Sequence, residues 1–172
     1  YSCMFCFDLL TEKFYQLWAP SHHGLAMQEV TPDFISKEIE TEHARVNIGE
    51  SVFDVSATDS KLFFTEITAS GDTNSYRALH VMGGKYIYYF LTDFGRGRLH
   101  VLPVAYDCKE KRWYNNPESG VRHFEHMEDA PLDWKSHLYT FNTTCYNCHV
   151  SQLESNFDLE TLEYTTTWRE PG

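Results

Sequence analysis

No apolar run in the 172 residues approaches the roughly 18 needed to cross a bilayer, so the sequence carries no membrane span. The opening Tyr1-Ser2-Cys3 lacks a basic stretch followed by an apolar one, so the expectation is either no signal peptide or one already removed. Positive charge is in deficit: 14 Lys and Arg stand against 25 Asp and Glu, a net charge of −11. Such a surface repels phosphate backbones, which argues against nucleic acid and suits a carrier that meets basic partners. A Gly-rich phosphate loop, G-x-S-x-G and H-E-x-x-H are all missing, so neither a hydrolase nor a transferase is advertised. Internal repeats and low-complexity tracts are missing as well. The cysteine count, five, does not pair into a complete disulfide framework.

What is abundant is aromatic: twelve Phe, eleven Tyr and four Trp. Residues 8–18 are predicted to form a short helix, with Leu10, Phe14, Leu17 and Trp18 on one face and Pro20 as its stop. Segments near 44–48, 52–57, 62–68, 76–82, 85–92 and 98–106 are short, β-branched or aromatic, and divided by turn residues. Ser70-Gly71-Asp72 reads as a turn, Gly83-Gly84 as a two-residue hairpin loop and Gly95-Arg96-Gly97 as a second one. After Trp113 the periodicity dissolves, and a large planar cofactor is one thing that could organise such a segment.

The expectation is one α+β domain over residues 1–172. A short N-terminal helix and C-x-x-C/His segment occupies 1–42. A small antiparallel β-sheet core of five or six strands, about 43–114, serves as scaffold, and 115–172 is an irregular attachment segment.

Chemistry concentrates at Cys145-Tyr146-Asn147-Cys148-His149. C-x-x-C-H is the signature of covalent haem c attachment. Two thiols one helical turn apart add to the haem vinyl groups, and the adjacent imidazole is placed under the iron as proximal ligand. A redox C-x-x-C with an incidental histidine, or half of a zinc site, is the competing reading. A second pair, Cys3-Met4-Phe5-Cys6, is followed by Phe7 instead of histidine. It fits a second haem ligated from elsewhere, a local disulfide, free thiols, or a four-cysteine zinc site shared with Cys145 and Cys148. Cys108 reads as a half-buried or strand-end thiol. Nine histidines are available as a sixth ligand. His23 and His22, in the loop after the first helix, stand out, and His137 comes next. His123 and His126 read as part of a solvated face with Glu125 and Glu128. Asn142-Thr143-Thr144 matches a glycosylation acceptor, fortuitous beside the C-x-x-C-H.

Over nearly its whole length the chain resembles the bacterial multihaem cytochrome c family. The matching stretches are Trp18, Ser21-His22-His23-Gly24-Leu25-Ala26-Met27, Gly97-Arg98-Leu99-His100-Val101-Leu102-Pro103-Val104-Ala105-Tyr106-Asp107, Cys145 to Gln152, and Thr166-Thr167-Trp168-Arg169-Glu170-Pro171-Gly172. The resemblance implies His149 as a proximal ligand and His23, at the S-x-H position, as a distal one. It also implies that the chain is a fragment or shortened member, because the family continues into a further C-x-x-C-H. Phe7 departs from the pattern, standing where the family has its first haem histidine.

Function is expected to be electron transfer through one haem c at Cys145 and Cys148, with a second open at Cys3 and Cys6. Redox proteins, other cytochromes or copies of the chain itself are the expected partners, in the periplasm or outside the cell. A haem enzyme of the nitrite, hydroxylamine or peroxide type, or a zinc- or disulfide-stabilised binding module, are the alternatives.

Overall fold

Apolar side chains at every second position favour strands, and in this chain some strands carry them on one face and others on both. The computed structural model describes residues 12–42, 44–121, 123–124 and 127–171, with backbone alone at 123–124, 127–128 and 170–171. Cys3, Cys6, Phe7, Leu10, His43, His126 and Gly172 lie outside the described residues. The chain begins with helix α1 (12–18), strand β1 (Met27–Glu29) and helix α2 (Pro32–Glu38). In α2, Pro32 opens the first turn and the Thr31 hydroxyl accepts from the Phe34 backbone N–H at 3.1 Å.

A four-stranded antiparallel sheet follows in sequential order: β2 (Arg45–Ile48), β3 (Ser51–Thr58), β4 (Lys61–Ile67) and β5 (Thr73–Arg77). Its alternation serves one face, where Val46, Ile48, Phe53, Val55, Leu62 and Phe64 are buried. Between β5 and β6 (His80–Met82) the chain changes sheets. The Ala78 N–H donates back to Leu62, while the Leu79 N–H donates to Leu91 of β7 (Ile87–Asp93). With β8 (Leu99–Asp107) and β9 (Arg112–Asn115), the second sheet is five-stranded in the order β1-β6-β7-β8-β9.

This second sheet is apolar on both faces. Val81, Tyr88, Phe90, Leu102, Val104 and Tyr106 share one core with the first sheet, Phe34 and Trp134. Met82, Leu91 and Val101, on the opposite face, share another with Phe141, Val150 and the half-buried Cys145 and Trp168. Strand β8 is accordingly buried from His100 through Tyr106. A continuous buried run of that kind is what a strand covered on both sides requires.

The last third of the chain supplies the second cover. It contains α3 (Asn116–Ser119), the pair β10 (His123–Phe124) and β11 (Met127–Glu128), a 3-10 turn at His137–Tyr139, and the turn of helix α4 (Tyr146–His149). Two further pairs complete it: β12 (Val150–Ser151) with β15 (Glu170–Pro171), and β13 (Phe157–Asp158) with β14 (Glu163–Tyr164). Trp134 inserts among Phe53, Tyr76 and Phe94. Next to it Lys135 reaches the buried Glu66 carboxylate at 3.0 and 3.1 Å, which also accepts from Tyr76 and Asn74.

The structure overturns the α+β expectation. It is mostly β, with two principal sheets where one small sheet was expected, and β1 is recruited from the N-terminal part. Residues 76–82, expected as one strand, are divided between the two sheets. Among the described residues the helices are too short to form a layer: α2 has seven residues and α4 four, about two turns and one. In α1 the expected apolar face is not buried, since Phe14 and Leu17 are 68% and 67% exposed. The physical reason is cover: a sheet apolar on both sides is packed by another sheet on one face and by irregular chain on the other.

His100 is fully buried, and its Nε2–H donates to the Trp134 carbonyl at 2.7 Å while Nδ1 has no partner among the described residues. Burial lowers its pKa below 6.5, as it does for His80. The folded state therefore resists a proton that the unfolded chain accepts below about pH 6.5. Urea-unfolding free energy should fall as pH drops from 7 to 5, by at most about 1.4 kcal/mol per pH unit for each such histidine. In His100→Phe that slope should be shallower, and an unchanged slope would remove His100 from the account. Trp134→Ala should lose about 3–5 kcal/mol of stability in the same assay, as expected for a core tryptophan.

Candidate functional site

Placement of the C-x-x-C-H starts at the beginning of β8. The Phe141 N–H donates to the Leu99 carbonyl at 2.9 Å, and the Leu99 N–H donates to Asn142 Oδ1 at 2.8 Å. Asn142 is 2% exposed, and its amide donates to Thr166 Oγ1 and the Gly97 carbonyl. That amide holds the segment together and offers nothing to a glycan. From this anchor the chain turns helically: the Cys145 N–H reaches the Phe141 carbonyl and the Cys148 N–H the Cys145 carbonyl, both at 3.3 Å. Val150, buried in the second core, then fixes the exit.

The two thiols differ. Cys145 is half-buried, and burial, with Cys148 as a lesser cause, raises its pKa above 9.0. Cys148 is exposed. Both are free thiols, not a disulfide, and Cys108 is likewise free and half-buried.

His149 Nδ1 lies 2.9 Å from the Ala26 carbonyl oxygen. A carbonyl only accepts, so Nδ1 carries the proton and Nε2 is left with its lone pair available. The same oxygen also accepts from the Gly83 N–H at 3.1 Å, extending the β1–β6 ladder by one bond. Gly83 is required there: its φ is +108°, and a Cβ would stand 1.9 Å from the Ile87 carbonyl oxygen. The turn expected at Gly83-Gly84 thus runs to Tyr86 and also aims the acceptor for His149.

Cys145, Cys148 and His149 line the rim of an open cavity of about 360 Å³. Met82, Tyr89 and Val101 of the second sheet form its floor, and Leu138 and Tyr139 a wall. None of its lining residues is Asp, Glu, Lys or Arg. Apolar floor, free thiols and an imidazole with Nε2 open form a donor set that fits a covalently held haem. No three His, Cys, Asp or Glu side chains are grouped to hold a lone metal ion among the described residues.

The other expected ligands stand apart from this cavity. His22 is exposed, with its ring 5.1 Å from that of Tyr86. His23 is exposed, and its carbonyl accepts from the Ala26 N–H at 3.0 Å. Their loop leads directly to Ala26, whose carbonyl meets His149 Nδ1. His137 is exposed and lines a different cleft. The second pair, Cys3 and Cys6, lies outside the described residues.

Sequence reasoning missed Ala26, Gly83 and the floor formed by Met82, Tyr89 and Val101. The readable signal was the unbroken apolar run through Val101-Leu102-Pro103-Val104-Ala105-Tyr106, which marks a strand with a second covered face. A backbone acceptor leaves no side-chain signal at all.

Comparison with known proteins finds no matching family, no matching curated protein and no matching solved structure.

In protein prepared without haem, Cys148 should react with iodoacetamide faster than Cys145 at pH 7.5. Exposure favours the first, and the raised pKa depletes the thiolate of the second. Peptide mapping of partially alkylated protein reads the order, and equal labelling would contradict the burial described for Cys145.

Proposed function

We propose that this chain transfers electrons through a haem c attached at Cys145 and Cys148 with His149 as proximal ligand, and that it works outside the cytoplasm. The observation that carries this reading is the His149 Nδ1–H bond to the Ala26 carbonyl, which leaves Nε2 available beside two free thiols one helical turn apart. When bound, a haem supplies an iron that alternates between ferric and ferrous states.

The chain's own groups do the rest. Cys145 and Cys148 supply the sulfurs of two thioether bonds. The Ala26 carbonyl fixes the tautomer and plane of His149 and makes its Nε2 a stronger donor, as second-sphere acceptors do for metal-bound imidazoles. Met82, Tyr89 and Val101 keep water from the floor, and an apolar surround raises the reduction potential of a haem relative to a solvated one. Extracytoplasmic location follows from the resemblance, because covalent haem attachment in bacteria is normally completed there. The same reading leaves His22 and His23 to a second haem at Cys3 and Cys6.

Expression with an export signal and the haem-attachment machinery tests this. The protein should show a Soret band and haem that survives acid–acetone extraction. Cys145→Ser/Cys148→Ser should lower the haem count by one, read by intact mass and pyridine haemochrome. His149→Ala should change the spin state or abolish maturation. An unchanged haem count in the double variant, or an unchanged low-spin spectrum in His149→Ala, would overturn the assignment.

A further inference from the structure

The turn between β7 and β8 holds three successive residues at positive φ: Gly95 at 89°, Arg96 at 56° and Gly97 at 66°. Gly97 lets β14 press against this turn, since a Cβ there would stand 2.0 Å from the Tyr164 carbonyl oxygen. The Tyr164 N–H donates to the Arg96 carbonyl at 2.9 Å. Arg96 adopts a backbone conformation that a side chain of its kind seldom takes, and its side chain lines a cleft of about 750 Å³. That volume lies within the range of small-molecule sites, about 300–1,000 Å³.

Charge in this cleft is opposite to that of the whole protein. The chain carries −11, yet the lining includes Arg96 and Arg98 and no Asp or Glu. Neither arginine is in an ion pair among the described residues. Asp93, the nearest acid in sequence, has Oδ1 occupied by the Gly95 N–H at 2.8 Å. The Arg98 guanidinium lies over the Phe94 ring at 4.8 Å, which orients its fork without neutralising it. Phe94, Leu162 and Tyr164 contribute apolar walls.

We infer that this cleft binds a small organic anion, its carboxylate or phosphate held by Arg96 and Arg98 and its apolar body set against Phe94, Leu162 and Tyr164. Guanidinium forks match planar or tetrahedral oxyanions through paired N–H donors. A cationic cleft in an acidic protein also gathers anions that the remaining surface turns away. The site shares no lining residue with the cavity at Cys145, Leu138 and Tyr139 lining that cavity and His137 and Thr140 this cleft. It does not depend on a haem being present there.

Phenyl phosphate, titrated calorimetrically into the isolated protein, is the probe. Saturable binding is expected, weakened about tenfold or more by Arg96→Met and by Arg98→Met. Arg98→Lys should fall between wild type and Arg98→Met, because it keeps the charge and loses the fork. Arg77→Met removes an exposed cation from β5, elsewhere on the surface, and should leave affinity unchanged. Benzyl alcohol should not bind, and inorganic phosphate should bind more weakly than phenyl phosphate. Circular dichroism of each variant confirms that the fold is kept. No saturable binding at millimolar probe, an equal loss in Arg77→Met, or affinity for inorganic phosphate equal to that for phenyl phosphate would overturn the inference.

Discussion

A sheet that is apolar on both faces cannot stand alone in water, and this constraint governs the molecule. Strands β6, β7 and β8 place Val81, Phe90 and Leu102 on one side and Met82, Leu91 and Val101 on the other. Each fully buried side chain of this kind contributes about 1.5–3 kcal/mol relative to exposure. That gain exists only if both faces find cover. The first sheet covers one face, while the segment carrying Cys145, Cys148 and His149 covers the other through Phe141 and Val150. That segment is therefore half of the packing and not an appended lobe, although it has little regular structure of its own.

The same constraint aims the imidazole. Ala26 is fixed because β1 pairs with β6 in a set register, Met27 opposite Met82. A slip of one residue would turn Met27 and Met82 out of the second core and move the Ala26 carbonyl away from His149. Hydrophobic register thus sets the position of a polar atom. Because that oxygen accepts from both Gly83 and His149, its two lone pairs are both engaged. The hold on the ring comes from the strand ladder and needs no further side chain.

How much of this was legible in the sequence depends on what kind of atom acts. The C-x-x-C-H could be read because thiols and an imidazole at fixed spacing are rare, and the structure places the three on one turn beside one cavity. Strand positions could be read from alternation in 52–57 and 62–68, where one face is buried. Turns at Ser70-Gly71-Asp72 and Gly95-Arg96-Gly97 could be read because positive φ favours glycine. The division of the strands between two sheets could not be read, since Ala78 and Leu79 carry no local mark of the crossover and only long-range pairing decides it. Nor could the carbonyl of Ala26, which every residue type possesses. The helix expected within residues 8–18 is present over the described 12–18, but the exposure of Phe14 and Leu17 could not be read, because periodicity shows that a face exists, not what covers it.

Asymmetry at the two thiols bears on the proposed electron transfer. Cys145 is packed against the second core while Cys148 is exposed. On the proposed reading, the two thiols that would hold the haem thus differ in their access to water. If the chain exchanges electrons with a partner protein as proposed, its net charge of −11 would favour a basic one at a distance through the field of the whole protein. No Asp, Glu, Lys or Arg lines the cavity itself, so a partner's contact there would be governed by shape and apolar surface. Under the proposed function, long-range attraction and short-range docking would thereby fall to different parts of the molecule. Such a division would suit an encounter that must form quickly and separate quickly, because the field would accelerate association while a small apolar contact would hold a partner only weakly.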